Sequence, residues 1–382
     1  MILGIDASNI RSGGGVTHLV ELLRAATPHN HGFERVIVWG GSATVAKLED
    51  RDWLLKVNAP FLDRGLPYRI FWQRFMLKNL AQQARCDVLF VPGGSDASGF
   101  KPMVTMSQNL LPFEWREMRR YGWSLYTLKF LLLRWTQSHS FSNAEGVIFL
   151  TKYAHDAVLN VTGSLRGKSA IISHGINSRF ALPPRQQRLQ SEFQHTAPCR
   201  VLYVSIVLPY KHQWHVVEAV SQLRSTGVSI ALKLVGPPAA GIKRLRETLN
   251  RIDPKGEFIT FCGAVPYEEL DVHYASADIG VFASSCENMP NILLEGMAAG
   301  LPMACSHMGP MPEVLGDAGT YFDPENSNSI AQALHLLIGS PEIRAEKAQA
   351  GFELAQQYSW NRCASETFAF LAQISDMHIT EN

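Results

Sequence analysis

The sequence has no long apolar run. Its longest apolar patches, such as Leu128 to Trp135, are too short and too basic to span a bilayer. Its six cysteines, at 86, 199, 262, 286, 305 and 363, are scattered and form no Cys-x-x-Cys pair. That favours reduced thiols in a cytoplasmic setting over a disulfide frame or a zinc site. No low-complexity block is visible, and no repeat with a period of roughly 20–50 residues. The first ten residues, MILGIDASNI, carry no basic leader and read as a strand, so no secretory signal is expected. The sequon at Asn160-Val161-Thr162 is accordingly read as coincidence. A Gly-x-Gly-x-x-Gly fingerprint is also missing, which argues against a dinucleotide-dependent dehydrogenase.

What is present suits two domains. The chain has 382 residues, 46% hydrophobic and 18% charged, more than a single core usually serves. The net charge of +1 hides an asymmetry. Residues 1–200 carry 24 Lys and Arg against 14 Asp and Glu, whereas residues 201–382 carry 11 against 20. A basic half joined to an acidic half suits different partners, with anionic lipid, a lipid diphosphate or nucleic acid open to the basic half. Uneven surface charge without a function is the plainer alternative.

Short β-branched runs alternate with amphipathic stretches. Strands are predicted at 2–6, 36–39, 87–91, 103–106, 146–150 and 170–172, then at 201–205, 230–235, 258–261, 279–283 and 302–305. Alternation of this kind implies βαβ units and parallel sheets. The polar, proline-marked stretch between the two series reads as a linker over 181–200. The predicted architecture is α/β, with two Rossmann-like doubly wound domains facing a cleft. In such sheets ligands sit at the carboxyl ends of the strands.

Two segments fall at those ends. Gly13, Gly14 and Gly15 precede a helical run after the first strand, where glycine admits close approach and a helix N-terminus presents free N–H groups to an anion. A plain tight turn explains them equally well. In CENMPNILLEG, Glu287 stands in the loop after a buried strand, Pro290 suits the first helical position, and Glu295 lies inside a helix over 291–299. Two acids bracketing a helix N-terminus can hold hydroxyls at both ends of a nucleotide sugar, with the diphosphate over the backbone between. Taken alone, they read more simply as a helix-start acid favoured by the dipole and a solvated glutamate.

The surrounding sequence resembles the retaining GT-B glycosyltransferases of family 4. The resemblance is carried by Glu-x7-Glu leading into GMAAGLP, by VLYVSIVLPYKHQWHVVEAV (201–220), LVGPP (234–238), FCGAVPYEELDVHYASADIGVFAS (261–284) and GDAGTYFDPEN (316–326). ISHGINSRF (172–180) is similar to the segment that ends the family's first domain, and YSWNRCA (358–364) to the start of a last helix that returns to it. The implied domains are 1–180 for the acceptor, 201–358 for the nucleotide sugar, and a returning helix at 359–382. The YKHQW stretch looks most like O-antigen mannosyltransferases.

The resemblance implies roles. Glu295 binds ribose hydroxyls and Glu287 the donor sugar. Asn288, Met289, Pro290, Asn291 and Ile292 receive the diphosphate and sugar, and Ser205, at the end of the strand over 201–205, is expected among the donor-binding residues. Lys211 neutralises the leaving diphosphate, as cleavage of an anomeric bond requires; without that role it is a surface charge before an amphipathic helix. Gly14 and Gly15 face phosphate. Two departures stand out. Ile206 replaces the arginine that normally partners the lysine, and Gln108-Asn109 replaces a His-Asp pair whose histidine contacts the donor sugar. Gln and Asn donate hydrogen bonds but do not titrate, so no histidine base is expected there. Attack on the face the leaving group departs from lets the diphosphate accept the proton. Arg11, Arg116 and His174 are further sources of charge. No cofactor and no metal are expected.

On the acceptor side, helices predicted over 66–85 and 112–135 mix Arg and Lys with Trp, Tyr and Phe, a composition suited to a membrane interface or to packing in the first core. Nucleic acid would tolerate the mixture, but no nucleic-acid motif accompanies it and none is expected as a partner. The resulting expectation is a metal-independent retaining transferase, cytoplasmic and peripheral to the inner membrane. It would move mannose from GDP-mannose, or a sugar from a UDP donor, onto a lipid-linked oligosaccharide in cell-surface polysaccharide synthesis. The rivals are a non-catalytic nucleotide-sugar-binding protein and a sugar-nucleotide epimerase of the same fold.

Overall fold

The computed structural model describes residues 1–11 and 13–381. The chain divides into two compact units. One comprises Met1–Met118, Trp123–Gly175 and the chain from Ser359 onward; the other comprises Arg119–Gly122 and Ile176–Tyr358.

In the first unit seven parallel strands, β1 (Ile2–Asp6), β2 (Arg35–Gly40), β3 (Leu54–Asn58), β4 (Val88–Val91), β5 (Met103–Met106), β6 (Gly146–Phe149) and β7 (Lys168–Ile171), lie in the order 3-2-1-4-5-6-7. In the second, β8 (Cys199–Val204), β9 (Ile230–Val235), β10 (Ile259–Gly263), β11 (Ile279–Phe282), β12 (Met303–Ser306) and β13 (Gly319–Phe322) run in the order 10-9-8-11-12-13. Every residue of β4, β5 and β6 is buried, as for strands covered on both faces, which is why they read as largely apolar runs, interrupted only by Thr105 in β5. The edge strand β3 has no fully buried residue and β13 alternates between buried and half-buried positions; neither carries such a run, and both escape the sequence reading.

Each strand order reverses once, beside β1 and β4 in the first unit and beside β8 and β11 in the second. Crevices for ligands open at such reversals. The loops after β8 and β11 carry Lys211 and Glu287, and these two strands are hydrogen-bonded neighbours, Ile279 opposite Val201 and Gly280 opposite Leu202.

Two stretches depart from expectation. The region 66–85 is not one continuous α-helix: Leu66–Trp72 and Lys78–Gln83 flank a π-helical turn, Gln73–Leu77. Gln73 is turned inward there, donating to Asp6 Oδ2 at 2.5 Å and to the Ser95 carbonyl at 3.0 Å, and π turns accommodate such a shift of register. Residues 181–198 do not behave as a free linker. Leu182 N donates to the Ala298 carbonyl at 3.0 Å, Arg185 to the carbonyls of Ala275 and Ala277, and Arg344 to the Arg188 carbonyl. Ala275 lies in the last turn of the helix Leu270–Ser276 and Ala277 just follows it, where cations are favoured, so charge rather than hydrophobic periodicity anchors this polar stretch. Residues 199 and 200 already belong to β8. The final helix, Trp360–Glu381, packs in the first unit against the helix Gly14–Ala25.

Candidate functional site

The ends of β8 and β9 set the first half of the site. Ser205 N donates to the Val235 carbonyl at 2.8 Å. Gly236, at φ 148°, lies so close that a Cβ there would fall 2.0 Å from the Ser205 carbonyl oxygen. No larger residue fits, and the chain leaves β8 along a fixed path. It then makes one 3₁₀ turn, Pro209–Lys211, in which Tyr203 OH donates to the Lys211 carbonyl at 2.6 Å. His212 follows at φ 51° and caps the helix Gln213–Ser225. A left-handed non-glycine costs roughly 1–2 kcal/mol and needs an anchor. His212 Nε2 supplies it, 3.0 Å from Ser285 Oγ in the loop after β11, while Ser285 N donates to the Tyr210 carbonyl at 2.9 Å. Burial, reinforced by Arg120, holds the His212 imidazole down at about 3, so it is neutral and acts as a clasp rather than a base.

The two loops therefore grip each other, and their charged side chains meet. Lys211 Nζ is ion-paired with Glu287 Oε1; Lys211 is buried and Glu287 nearly so. The ammonium also lies 5.2 Å from the centroid of the Phe282 ring. Removing both charges from water is costly, and the mutual attraction offsets that cost while no ligand is bound. The helix Asn291–Ala298 then begins. Its cap is Pro290, one residue later than the sequence suggests, because Asn291 N is already turned to the Met289 carbonyl at 3.0 Å. Asn288, Met289 and Pro290 are buried, while Asn291 and Ile292 are half-buried.

Glu295 is not the solvated glutamate of the plainer reading. It is buried, with Oε1 3.3 Å from Tyr267 OH and Oε2 3.0 Å from Tyr274 OH. Burial pushes its carboxyl up to about 7, against the two phenol hydrogen bonds and the Arg179 guanidinium. That guanidinium lies 3.9 Å from the Tyr267 ring centroid, and its buried Nε and Nη2 have no hydrogen-bond partner among the described residues. Sequence reasoning missed Arg179, Tyr267 and Tyr274. The tyrosines stand seven apart, two turns along one helical face in the stretch that bears the resemblance, which is the signal that could have found them.

A carboxylate that receives hydroxyls must be ionised. If Glu295 receives the ribose hydroxyls that the resemblance implies, affinity for a nucleoside diphosphate is expected to rise between pH 6 and 8 as that carboxyl loses its proton. Glu295→Gln should flatten that rise and weaken binding by roughly tenfold to 100-fold, the scale of a hydrogen bond to a charged acceptor, as titration calorimetry would show. Since the native carboxyl keeps its proton from about 4.5 to about 7 while an unfolded one loses it, this group lowers stability as pH climbs through that window.

The other expected residues lie in the first unit. Gly14 and Gly15 open the helix Gly14–Ala25, which has no side-chain cap. Gln108 is half-buried, its Nε2 3.3 Å from His18 Nδ1. Asn109 is exposed and spends its Oδ1 on the Leu111 N–H at 3.2 Å, closing a turn. His174 is buried in a ring stack, 4.6 Å from His18 and 5.7 Å from Trp360 by centroids, and presents no accessible charge. Arg11 is exposed and donates to the Arg64 and Asp63 carbonyls; Arg116 is exposed. Ile206 is half-exposed at the position of the expected arginine. Among the described residues no group of three His, Cys, Asp or Glu is placed to hold a metal ion. The Asp-x-Asp triplet Asp50-Arg51-Asp52 is exposed, with Asp50 bonded to Lys56.

Residues 12–180 match the family model described as Glycosyltransferase Family 4, and residues 198–340 match that described as Glycosyl transferases group 1. The two matched stretches take in most of the chain.

The chain belongs to the family 4 glycosyltransferases.

This family member is 34% identical over 110 residues to the O-antigen chain mannosyltransferase B of Escherichia coli, 29% of each chain. It is 28% identical over 248 residues to the GDP-mannose-dependent alpha-(1-6)-phosphatidylinositol monomannoside mannosyltransferase of Mycolicibacterium smegmatis, covering 60% of this chain and 61% of that one. Both matches span less than two thirds of the relative's length. The sucrose-phosphate synthase of Thermosynechococcus elongatus superposes with a TM-score of 0.75 at 18% identity over all of both chains, which establishes the GT-B fold.

Proposed function

We propose that the protein is a retaining glycosyltransferase using a nucleotide sugar, GDP-mannose first and a UDP-sugar second, to glycosylate a lipid-linked oligosaccharide in cell-surface polysaccharide synthesis. The observation that carries this is the Lys211–Glu287 ion pair, held where the loops after β8 and β11 clasp, with Glu295 one helix away on the same backbone. The mannosyltransferase names of the two relatives support the order of donors.

The chemistry assigns each part a step. Ribose hydroxyls donate to Glu295, the diphosphate lies over the backbone that opens the helix Asn291–Ala298, and Lys211 exchanges Glu287 for a phosphate oxygen. Glu287, released, takes a hydroxyl of the transferred sugar. As the anomeric C–O bond to phosphate breaks, Lys211 stabilises the developing negative charge in a water-poor site. The acceptor oxygen bonds to the same face of the anomeric carbon, its proton passes to the departing phosphate oxygen, and the nucleoside diphosphate leaves. The ammonium supplies the positive charge that this step needs, so no metal ion is invoked.

The lipid side is supported by the first unit. Trp123 is fully exposed. The helix Leu125–Asn143 turns Leu125, Tyr126, Leu128, Leu132 and Trp135 outward beside Lys129 and Arg134, and Phe71 and Phe75 are exposed on 66–77. Exposed apolar groups among cations suit the interface of an anionic membrane. Among the described residues no helix is long and apolar enough to cross one.

Purified protein is expected to be stabilised most by GDP in a nucleotide panel, to turn over GDP-mannose with a lipid-linked acceptor, and to float with anionic but not neutral liposomes. Turnover with UDP-sugars alone would remove the mannose assignment. Nucleotide binding with no transfer to any acceptor would favour a non-catalytic binding protein, and failure to float would remove the membrane.

A further inference from the structure

In the second unit a cavity of about 290 Å³ lies between the short helix Leu270–Ser276 and the amino-terminal parts of β8, β9 and β10. That places it toward the end of the sheet opposite to the loops after β8 and β11, which carry Lys211 and Glu287. Strand register fixes its floor. Leu202 and Thr260 both stand opposite Lys233, Arg200 stands opposite Ala231, and residues paired across strands share a face. The two cations on that floor differ. Arg200 spends its fork on Asp278, Nε to Oδ2 at 2.9 Å and Nη2 to Oδ1 at 2.8 Å. Lys233 is half-buried in mid-strand and, among the described residues, forms neither an ion pair nor a hydrogen bond.

Lysine is disfavoured in strands, and withdrawing its ammonium from water without a partner is costly. An oxyanion above Lys233 would offset that cost through a charge-assisted hydrogen bond. Thr260 adds a hydroxyl beside it. From the facing helix, His273 feels the same charge: burial, then Lys233, hold its imidazole below the ordinary value, so the ring is neutral near pH 7 and has one N–H to donate. Glu257 also lines the cavity, where it would repel a second anionic group but accept a hydroxyl. The volume lies near the lower end of small-ligand pockets, about 300–1,000 Å³. We propose that this cavity binds the phosphate monoester of a small polyol, with the phosphate between the Lys233 ammonium, the Thr260 hydroxyl and the His273 N–H, and the polyol hydroxyls toward Glu257. The site is separate from that of the nucleotide sugar and does not depend on the transferase reading.

Binding is read from the His273 ring resonances and by titration calorimetry, with inorganic phosphate, glycerol 3-phosphate and glycerol as probes at fixed ionic strength. Both phosphates are expected to shift the His273 signals, and to do so equally in Lys211→Met, which separates this site from the diphosphate site. Glycerol should shift nothing. Glycerol 3-phosphate should bind several-fold tighter than inorganic phosphate, and Glu257→Ala should erase that difference. Lys233→Met should weaken both by about tenfold or more, the worth of a hydrogen bond to a charged group, without lowering the melting temperature. The isosteric Thr260→Val loses only the hydroxyl and should weaken both by roughly threefold or more; it keeps the test standing if Lys233→Met fails to fold. Unshifted His273 signals in the wild type, or an affinity unchanged in either folded variant, would overturn the site. Equal affinity of the wild type for the two phosphates would overturn its assignment to a monoester.

Discussion

Lys211→Ala is expected to lower turnover by about 10²–10³-fold, the usual loss when one group aimed at developing negative charge is removed. Ile206 makes the effect harder to buffer, because it stands where a second cation is expected. A structural role for Lys211 predicts something else. Removing the lysine leaves Glu287 nearly buried with its ion-pair partner gone, so Lys211→Ala should also destabilise the second unit. The double variant Lys211→Met, Glu287→Gln removes both charges while keeping volume. If the pair serves only to hold the loops together, this variant should regain stability and activity together. If Lys211 acts on the leaving group and Glu287 on the sugar, stability returns and turnover does not. Thermal unfolding and single-turnover rates on the three proteins decide between these. Recovery of turnover in the double variant would sink the proposed mechanism.

How far the sequence shows this arrangement depends on which interactions carry each piece. Interior strands were legible because burial on both faces demands continuous apolar residues, as in VLFV of β4 and GVIF of β6. Lys211 and Glu287 were legible as separate candidates, through resemblance and position at strand ends. Their direct pairing was not, since it depends on β8 and β11 being neighbours, which only the strand order reveals. The environment of Glu295 was hidden for a related reason. An acid inside a helix looks solvated until the tyrosines from another helix are known to cover it. Asn109 shows a different limit: next to Gln108 in sequence, it is exposed and closes a turn, because adjacent residues in an irregular segment need not share a direction.

Residues 181–198 were the clearest misreading, and Arg344 explains it. Arg344 lies in the helix Pro341–Ala355, is 0% exposed, and among the described residues forms its hydrogen bonds with carbonyl oxygens rather than a carboxylate. Its Nη1 donates to the carbonyls of Leu337 and Ile338, 2.8 Å to the latter, in the last turn of the helix Ser327–Gly339. Nη2 donates to the Arg188 carbonyl, and Nε to Gln187 Oε1 at 3.2 Å. One guanidinium therefore ties a helix C-terminus to the stretch that looks like a tether, using the only side chain with a rigid fork of five donors. Burial pulls its pKa down, and the neighbourhood of Cys199, Asp278 and Glu342 holds it up. Arg344→Ala would leave buried carbonyls without donors and open a cavity, at a cost of about 3 kcal/mol or more. Arg344→Lys should recover little, because an ammonium cannot span acceptors on both segments. Urea unfolding should show a lower midpoint at unchanged slope, and limited proteolysis should cut within 181–198 in the variants but not in the wild type. Nucleotide affinity in the folded variants should be unchanged, since Arg344 touches neither Lys211 nor Glu295. An unaltered midpoint with cleavage already present in the wild type would restore the tether reading, and with it a second unit that folds from Cys199 alone.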